Sequence, residues 1–235
     1  MKLYESCILP LAEMLAGYAC KTCHPADCPD WPDEGKNQMI FQSDMAYELG
    51  GNGCEALSGI ALTDDAALVF EDEVCVYGPD LSELSSDSNY ARITLVRVKD
   101  AEGMSSDAMY QMIRRIDYTR YHVSPRGFMM RISALSQREA VRIGREALAE
   151  GLSFAVVGKS FIDAYKKHAE VETVKVIFVT LPEFPYDEAG KLLRKCEDIT
   201  KTLDHLAKKV QMDCHACALK EVCEEVEAMY KKKET

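Results

Sequence analysis

The sequence predicts an α+β fold: a mixed sheet flanked by helices, with Cys-rich N- and C-terminal segments brought together. Three observations lead there. Between about residues 55 and 185, short apolar or alternating runs of strand character trade places with amphipathic stretches of helical period. No low-complexity linker splits the 235 residues, 47% of which are hydrophobic, so one sizeable core can form. Six of the ten cysteines fall in two triplets near opposite ends, Cys20-x2-Cys23-x4-Cys28 and Cys214-x2-Cys217-x5-Cys223. The chain accordingly divides into a cysteine-rich N-terminal segment (1–54), an α+β middle domain (55–185) and a long helix with the C-terminal cysteine motif (186–235).

Leu3, Ile8, Leu11 and Leu15 give residues 3–17 a loose helical spacing, which Pro10 would kink or restart and Gly17 would end. Residues 28–35, with Pro29, Pro32 and Gly35, suit neither a helix nor a central strand and are expected as loop, with Trp31 covering a metal site or a core edge. A second loop follows at Glu48-Leu49-Gly50-Gly51-Asn52-Gly53. Strands are expected at 67–76, 91–99, 127–132 and 173–180, and helices at 105–117 and 159–168. Ser136-Gln137-Arg138-Glu139 matches a capping box, which predicts a further helix that Gly151 ends. Leu181-Pro182-Glu183-Phe184-Pro185 breaks the chain before a long helix at 187–210, leading to the second cysteine triplet. Short loops between several strands favour mixed strand order.

The balance of 28 basic against 39 acidic residues, a formal charge of −11, argues against nucleic acid and against an anionic membrane as partner. No apolar run approaches the roughly 18 residues that a membrane span needs. Glu5 and Glu13 interrupt the apolar start, so no signal peptide is read there. Ten cysteines without an export signal point to a reducing cytoplasm, where clustered cysteines mean metal more often than disulfide.

Two cysteines three residues apart can aim both sulfurs at one metal from a tight turn, and a third can follow from the first turn of a helix. Neither triplet fills a four-coordinate site alone. Cys20, Cys23 and Cys28 are therefore expected within reach of Cys214, Cys217 and Cys223, holding zinc or an iron–sulfur cluster. His24 and His215 lie inside the triplets as further candidate ligands or as plain loop residues. The alternative is free thiols in a core, and Cys7, Cys54, Cys75 and Cys196 are read as core or surface thiols. Arg114, Arg115, Arg126 and Arg131 form the densest basic group of an acidic chain. Such guanidinium forks suit phosphate or carboxylate, although Arg114 and Arg115 can equally be solvated helix residues paired with Asp107, Asp117 or nearby glutamates.

Val76-Tyr77-Gly78-Pro79-Asp80-Leu81, the strand at 91–99, Arg114-Arg115-Ile116 and Tyr121-His122-Val123-Ser124-Pro125-Arg126 occur in that order. Arg131-Ile132-Ser133, Gly151-Leu152-Ser153-Phe154, Gly158 and the strand Val174–Thr180 continue the series, and Glu48-Leu49-Gly50-Gly51 precedes it. Collinear over about 150 residues, these motifs resemble the middle domain of the carbon monoxide dehydrogenase/acetyl-CoA synthase beta subunit (acetyl-CoA synthase). The resemblance implies anaerobic one-carbon and acetyl-CoA metabolism, with a corrinoid protein or another subunit of that complex as partner. It favours a 4Fe–4S cluster over zinc at the six cysteines. It also implies coenzyme A as ligand of Tyr121, His122, Arg126, Arg114 and Arg115. Two departures matter. The sequence contains no Cys-Gly-Cys, the tripeptide that holds nickel in that family, and Tyr121 replaces a tryptophan in the Trp-His element associated with coenzyme A. The expectation is thus an iron–sulfur accessory or electron-transfer protein without the nickel site. An acyl-CoA- or carbonyl-binding enzyme and a zinc-stapled interaction module are the alternatives.

Overall fold

In a computed structural model, residues 2–51, 53–99, 104–133, 138–207, 217 and 219–231 are described. The elements are, in chain order, α1 (Lys2–Ala16), β1 (Cys20–Cys23), β2 (Met45–Leu49), β3 (Ala56–Thr63), β4 (Glu73–Tyr77) and β5 (Tyr90–Val98). Then come α2 (Ser106–Thr119), β6 (Phe128–Ile132), β7 (Glu139–Gly144), α3 (Arg145–Ala149) and α4 (Phe154–Tyr165). The strand β8 (Val171–Val179) and the helices α5 (Tyr186–Ala207) and α6 (Lys220–Lys231) complete them.

Five strands form the main sheet in the order β1-β4-β8-β5-β3. The pairs β4–β8 and β3–β5 are parallel, whereas β1–β4 and β5–β8 are antiparallel, so the sheet is mixed as the sequence predicts. Both faces are covered, and the central strands β5 and β8 read accordingly as almost unbroken buried runs. Paired residues point to the same face. The row Gly59, Ile93, Ile177, Cys75 and Thr22 faces α5, with α1 beside it, while the row Ser58, Arg92, Phe178, Val76 and Lys21 faces α4. Gly59 is needed for the first contact: a Cβ there would lie 2.6 Å from Leu193 Cδ2 of α5. α1 runs unbroken through Pro10 and buries Tyr4, Cys7, Ile8, Leu11 and Leu15, one amphipathic stripe.

A second, antiparallel sheet of order β2-β7-β6 packs against the first. Here the expected helix opening at Ser136 does not form as read. Residues 136 and 137 lie outside the described residues, and Glu139–Gly144 is strand, with only Arg145–Ala149 helical. The physical reason is the period. Glu139, Val141 and Ile143 are buried and alternate with partly exposed Ala140 and Arg142, and the Glu139 carboxylate is consumed by Arg92 rather than by a helix N-terminus. The strand expected at 67–76 is confined to Glu73–Tyr77, because Thr63 and Asp65 turn the preceding chain by accepting from the amides of Asp65 and Ala67. The helix expected at 159–168 begins earlier, at the N-cap Ser153. The long helix α5 follows expectation over its described part.

Candidate ligand cleft and cysteine edge

α2 is an amphipathic helix capped by the Ser105 hydroxyl, which accepts from Ala108 N at 3.3 Å. Met112, Ile113 and Ile116 go into the core, which leaves Arg114, Arg115 and Tyr118 outward. A turn then folds the chain back, with Tyr121 N donating to Tyr118 O and His122 N to Thr119 O.

Between this end of α2 and the middle of α5 lies a cleft of about 340 Å³. Arg114, Asp117, Arg120 and Tyr121 line one wall, Glu197 and Lys201 the other, and Gly59 contributes to the floor. Arg120 is nearly buried, its guanidinium 4.8 Å from the centre of the Tyr121 ring, and its Nη2 donates to the Tyr121 hydroxyl at 2.8 Å. Its Nε stands 3.3 Å from Asp117. Burial holds the Asp117 carboxyl above the usual carboxylate range despite Arg120 and Arg114. Arg114 carries no ion pair among the described residues, so its fork is free for a ligand. Across Arg120 and Tyr121 lies a second cleft of about 410 Å³, lined by Met39, Val123, Met129 and Met130. Charged groups of both signs on one side and thioethers on the other flank a single Arg–Tyr partition.

The sequence-predicted ligand residues are only partly gathered here. Arg114 and Tyr121 line the cleft, and His122 packs beside it, its ring 4.4 Å from that of Tyr118. Arg115 turns away to pair with Glu170. Arg126 pairs with Glu150 and lies 5.6 Å from the Trp31 ring, whose Nε1 donates to Arg126 O. Arg131 pairs with Glu48. Of the acidic partners expected for Arg115, it takes a glutamate rather than Asp107 or Asp117. Arg120 and Lys201 were not singled out by the sequence. Only Arg120's place beside the Tyr121-His122 element could have flagged it; Lys201 is 80 residues further along the chain and joins the cleft through the fold alone.

The first cysteine triplet departs from its expected geometry. Cys20 to Cys23 is not a tight turn but the edge strand β1, with Cys20 opposite Tyr77 and Cys23 opposite Val74. Residues three apart in a strand project to opposite faces, so Cys20 shares the α5 side with Tyr77 while Cys23 shares the α4 side with Val74. The 3₁₀ turn Pro25–Asp27 then brings Cys28 back to Cys23, with the sulfurs 2.7 Å apart. Burial pushes the Cys28 thiol up to about 12. Cys214 and His215 lie outside the described residues; Cys217 precedes α6 and Cys223 sits within it, bonded toward Glu227. Among the described residues no three Cys, His, Asp or Glu side chains converge as metal ligands. What is present fits a two-thiol contact rather than a four-thiolate set. Elsewhere, Cys7 and Cys196 are buried against each other between α1 and α5, where bonding to Cys196 lowers the Cys7 thiol to about 7. Cys75 is fully buried in β4, and burial raises its thiol.

The two layered sheets define an α+β domain with an Arg- and Tyr-lined cleft at one edge. The family model for the CO dehydrogenase/acetyl-CoA synthase complex beta subunit matches residues 34–184, well over half of the 235 residues, and the chain belongs to that family. No curated protein matches the chain. The matched range holds the α2 wall of the cleft and the methionine-lined side, whereas the α5 wall and both cysteine triplets lie outside it. Among the described residues, no helix is long and apolar enough to cross a membrane.

Proposed function

We propose that the chain serves a CO dehydrogenase/acetyl-CoA synthase complex as an accessory subunit that binds coenzyme A or its acyl thioester in the paired clefts around Arg120 and Tyr121. The observation that carries this is the partition itself. A free Arg114 guanidinium and Lys201, whose Nζ lies 2.9 Å from Glu197, stand on one side, thioether side chains on the other, and an aromatic ring lies between them. Coenzyme A has a matching division of phosphates, adenine and an uncharged arm. Arg114 would hold phosphate oxygens, joined by Lys201 where a phosphate displaces Glu197 from it, the Tyr121 ring would take the base, and the cleft of Met129 and Met130 would shield the arm from water.

The family match supports a partner subunit of that complex, and a corrinoid-bearing partner is part of the proposal only. No nickel-dependent step is assigned to these 235 residues, which contain no Cys-Gly-Cys. Electron transfer through a 4Fe–4S cluster, or a zinc staple, needs two thiolates beyond Cys23 and Cys28, and no step is assigned to either.

Calorimetric titration of the full chain with coenzyme A, dephospho-coenzyme A and pantetheine separates the parts of the site. Saturable binding that weakens as phosphate and then nucleotide are removed is the expected order. No heat with coenzyme A at millimolar concentration would overturn the assignment.

A further inference from the structure

We infer that Cys23 and Cys28 form a dithiol–disulfide exchange pair, with Cys23 as the attacking thiol, rather than half of a metal site. The inference is independent of the ligand cleft. Four observations support it. The sulfurs are 2.7 Å apart. Two thiolates on one tetrahedral metal, each about 2.3 Å from it, stand about 3.8 Å from each other, and thiolates on separate irons of a cluster are farther apart still. The observed approach is therefore too close for shared ligation and close to a bond. Second, the third member of the motif is not available: Cys20 projects from the opposite face of β1, and no other metal-donating side chains complete a group of three among the described residues.

Third, the loop is held in the geometry that closes the pair. Asp27 N donates to His24 O at 3.0 Å and Cys28 N to Pro25 O at 3.2 Å, while both thiols turn toward His24 O, at 3.5 and 3.4 Å. Lys159 of α4 fastens the exit of the turn, its Nζ 2.7 Å from Asp30. Fourth, the two sulfurs differ in access. Cys23 is partly exposed on the edge strand of the main sheet, whereas Cys28 is 8% exposed. An incoming disulfide can reach Cys23 first.

The co-reactant is a disulfide, either of a small thiol or of a partner protein. The Cys23 thiolate attacks one of its sulfurs, forms a mixed disulfide and releases the first thiolate. Cys28 then gives up its proton and attacks Cys23 Sγ, which closes the intramolecular bond and expels the second thiol. Two thiols of this chain are oxidised and one disulfide of the co-reactant is reduced, by two electrons. The reverse sequence reduces the pair.

Trypsin isolates the pair, because the segment 22–36 between Lys21 and Lys36 contains both cysteines and no other. Full-length protein, reduced and purified under argon, is assayed for iron and zinc. It is then equilibrated with glutathione disulfide, alkylated and digested. The expected peptide 22–36 has lost two hydrogens, resists alkylation and regains two alkylation sites after reduction. In Cys28→Ser the same treatment should leave glutathione on Cys23, and in Cys23→Ser it should leave Cys28 unmodified. Stoichiometric iron or zinc that vanishes in Cys23→Ser would overturn the inference. So would a wild-type peptide that stays fully alkylatable, a result that needs no variant to fold.

Discussion

Arg92 and Glu139, neither with any solvent exposure, meet in a two-toothed ion pair between β5 of the main sheet and β7 of the second. Arg92 Nε donates to Oε1 at 2.9 Å and Nη2 to Oε2 at 2.5 Å, and the Tyr90 hydroxyl adds a third donor at 3.1 Å. The guanidinium also lies 4.2 Å from the centre of the Phe161 ring on α4. One charge pair thus ties both sheets and a helix, beneath the strands that carry the cleft.

Removing one member of a buried pair leaves the other charge without compensation, which costs about 3–5 kcal/mol, whereas replacing both with apolar residues of similar volume is often neutral. Glu139→Ala should therefore lower the unfolding free energy by about that amount, and Arg92→Met with Glu139→Leu should recover most of it. Urea unfolding checks both. A Glu139→Ala midpoint indistinguishable from wild type would mean that water reaches the pair and screens it.

Asp117 gives a pH dependence with a defined sign. Its carboxyl is raised above the ordinary 3.8, first by burial, with Arg120 and Arg114 opposing. The folded state then binds that proton more tightly than the unfolded state. The group favours folding fully below its unfolded value, and this contribution is lost as pH rises through the folded value. Asp117→Asn, which cannot ionise, should gain stability relative to wild type as pH is raised from about 3 to about 7. Denaturation midpoints at several pH values decide it; a relative loss for the variant would show that the ion pair with Arg120 outweighs burial.

Gly59 sets how closely α5 approaches the sheet. A methyl at this position would stand 2.6 Å from Leu193 Cδ2 and 3.0 Å from its Cγ, and Leu193 is itself buried. Overpacking of this kind costs about 1–3 kcal/mol, which for a chain of this size lowers the melting temperature by roughly 2–12 °C. Because Leu193, Glu197 and Lys201 share one wall of the cleft, Gly59→Ala should weaken coenzyme A binding as well. Calorimetric melting and titration measure the two effects on one sample, and unchanged values in both would place α5 farther from β3.

Legibility followed periodicity. β5, α2, β8 and α5 were readable because Ile93, Leu95, Met112, Ile116 and Val174 to Val179 repeat at strand or helix period without interruption. β3 was missed because Ser58 and Gly59 sit in its middle, and only the pressure of Leu193 explains a glycine there. β7 was mistaken for helix because Ser136 and Glu139 satisfy a local capping rule, while Arg92, which holds Glu139 instead, lies 47 residues earlier in the chain. The C-x2-C spacing at Cys20 and Cys23 fits a metal turn on paper. Pairing with β4 turned it into a strand, and strand geometry sends the two sulfurs apart.

The arginines offer the sharpest division between sequence and fold. By spacing, Arg114 and Arg126 are equivalent candidates for a phosphate. In the structure Arg126 is committed to Glu150 and to the face of Trp31, whereas Arg114 faces the cleft with no ion pair among the described residues. A ligand phosphate would have to displace Glu150 to engage Arg126, but engages Arg114 without loss. Arg114→Ala should therefore weaken coenzyme A about tenfold or more, as expected for a charge-assisted hydrogen bond. Arg126→Ala should leave affinity within about twofold while loosening the loop that carries Trp31, since a paired and partly exposed arginine adds little to a site it does not face. Dephospho-coenzyme A sharpens the comparison: if Arg114 holds the 3′-phosphate, Arg114→Ala should lose its effect on this analogue. Equal losses for the two variants with coenzyme A would move the phosphate site toward Trp31 and Glu150, away from the cleft between α2 and α5.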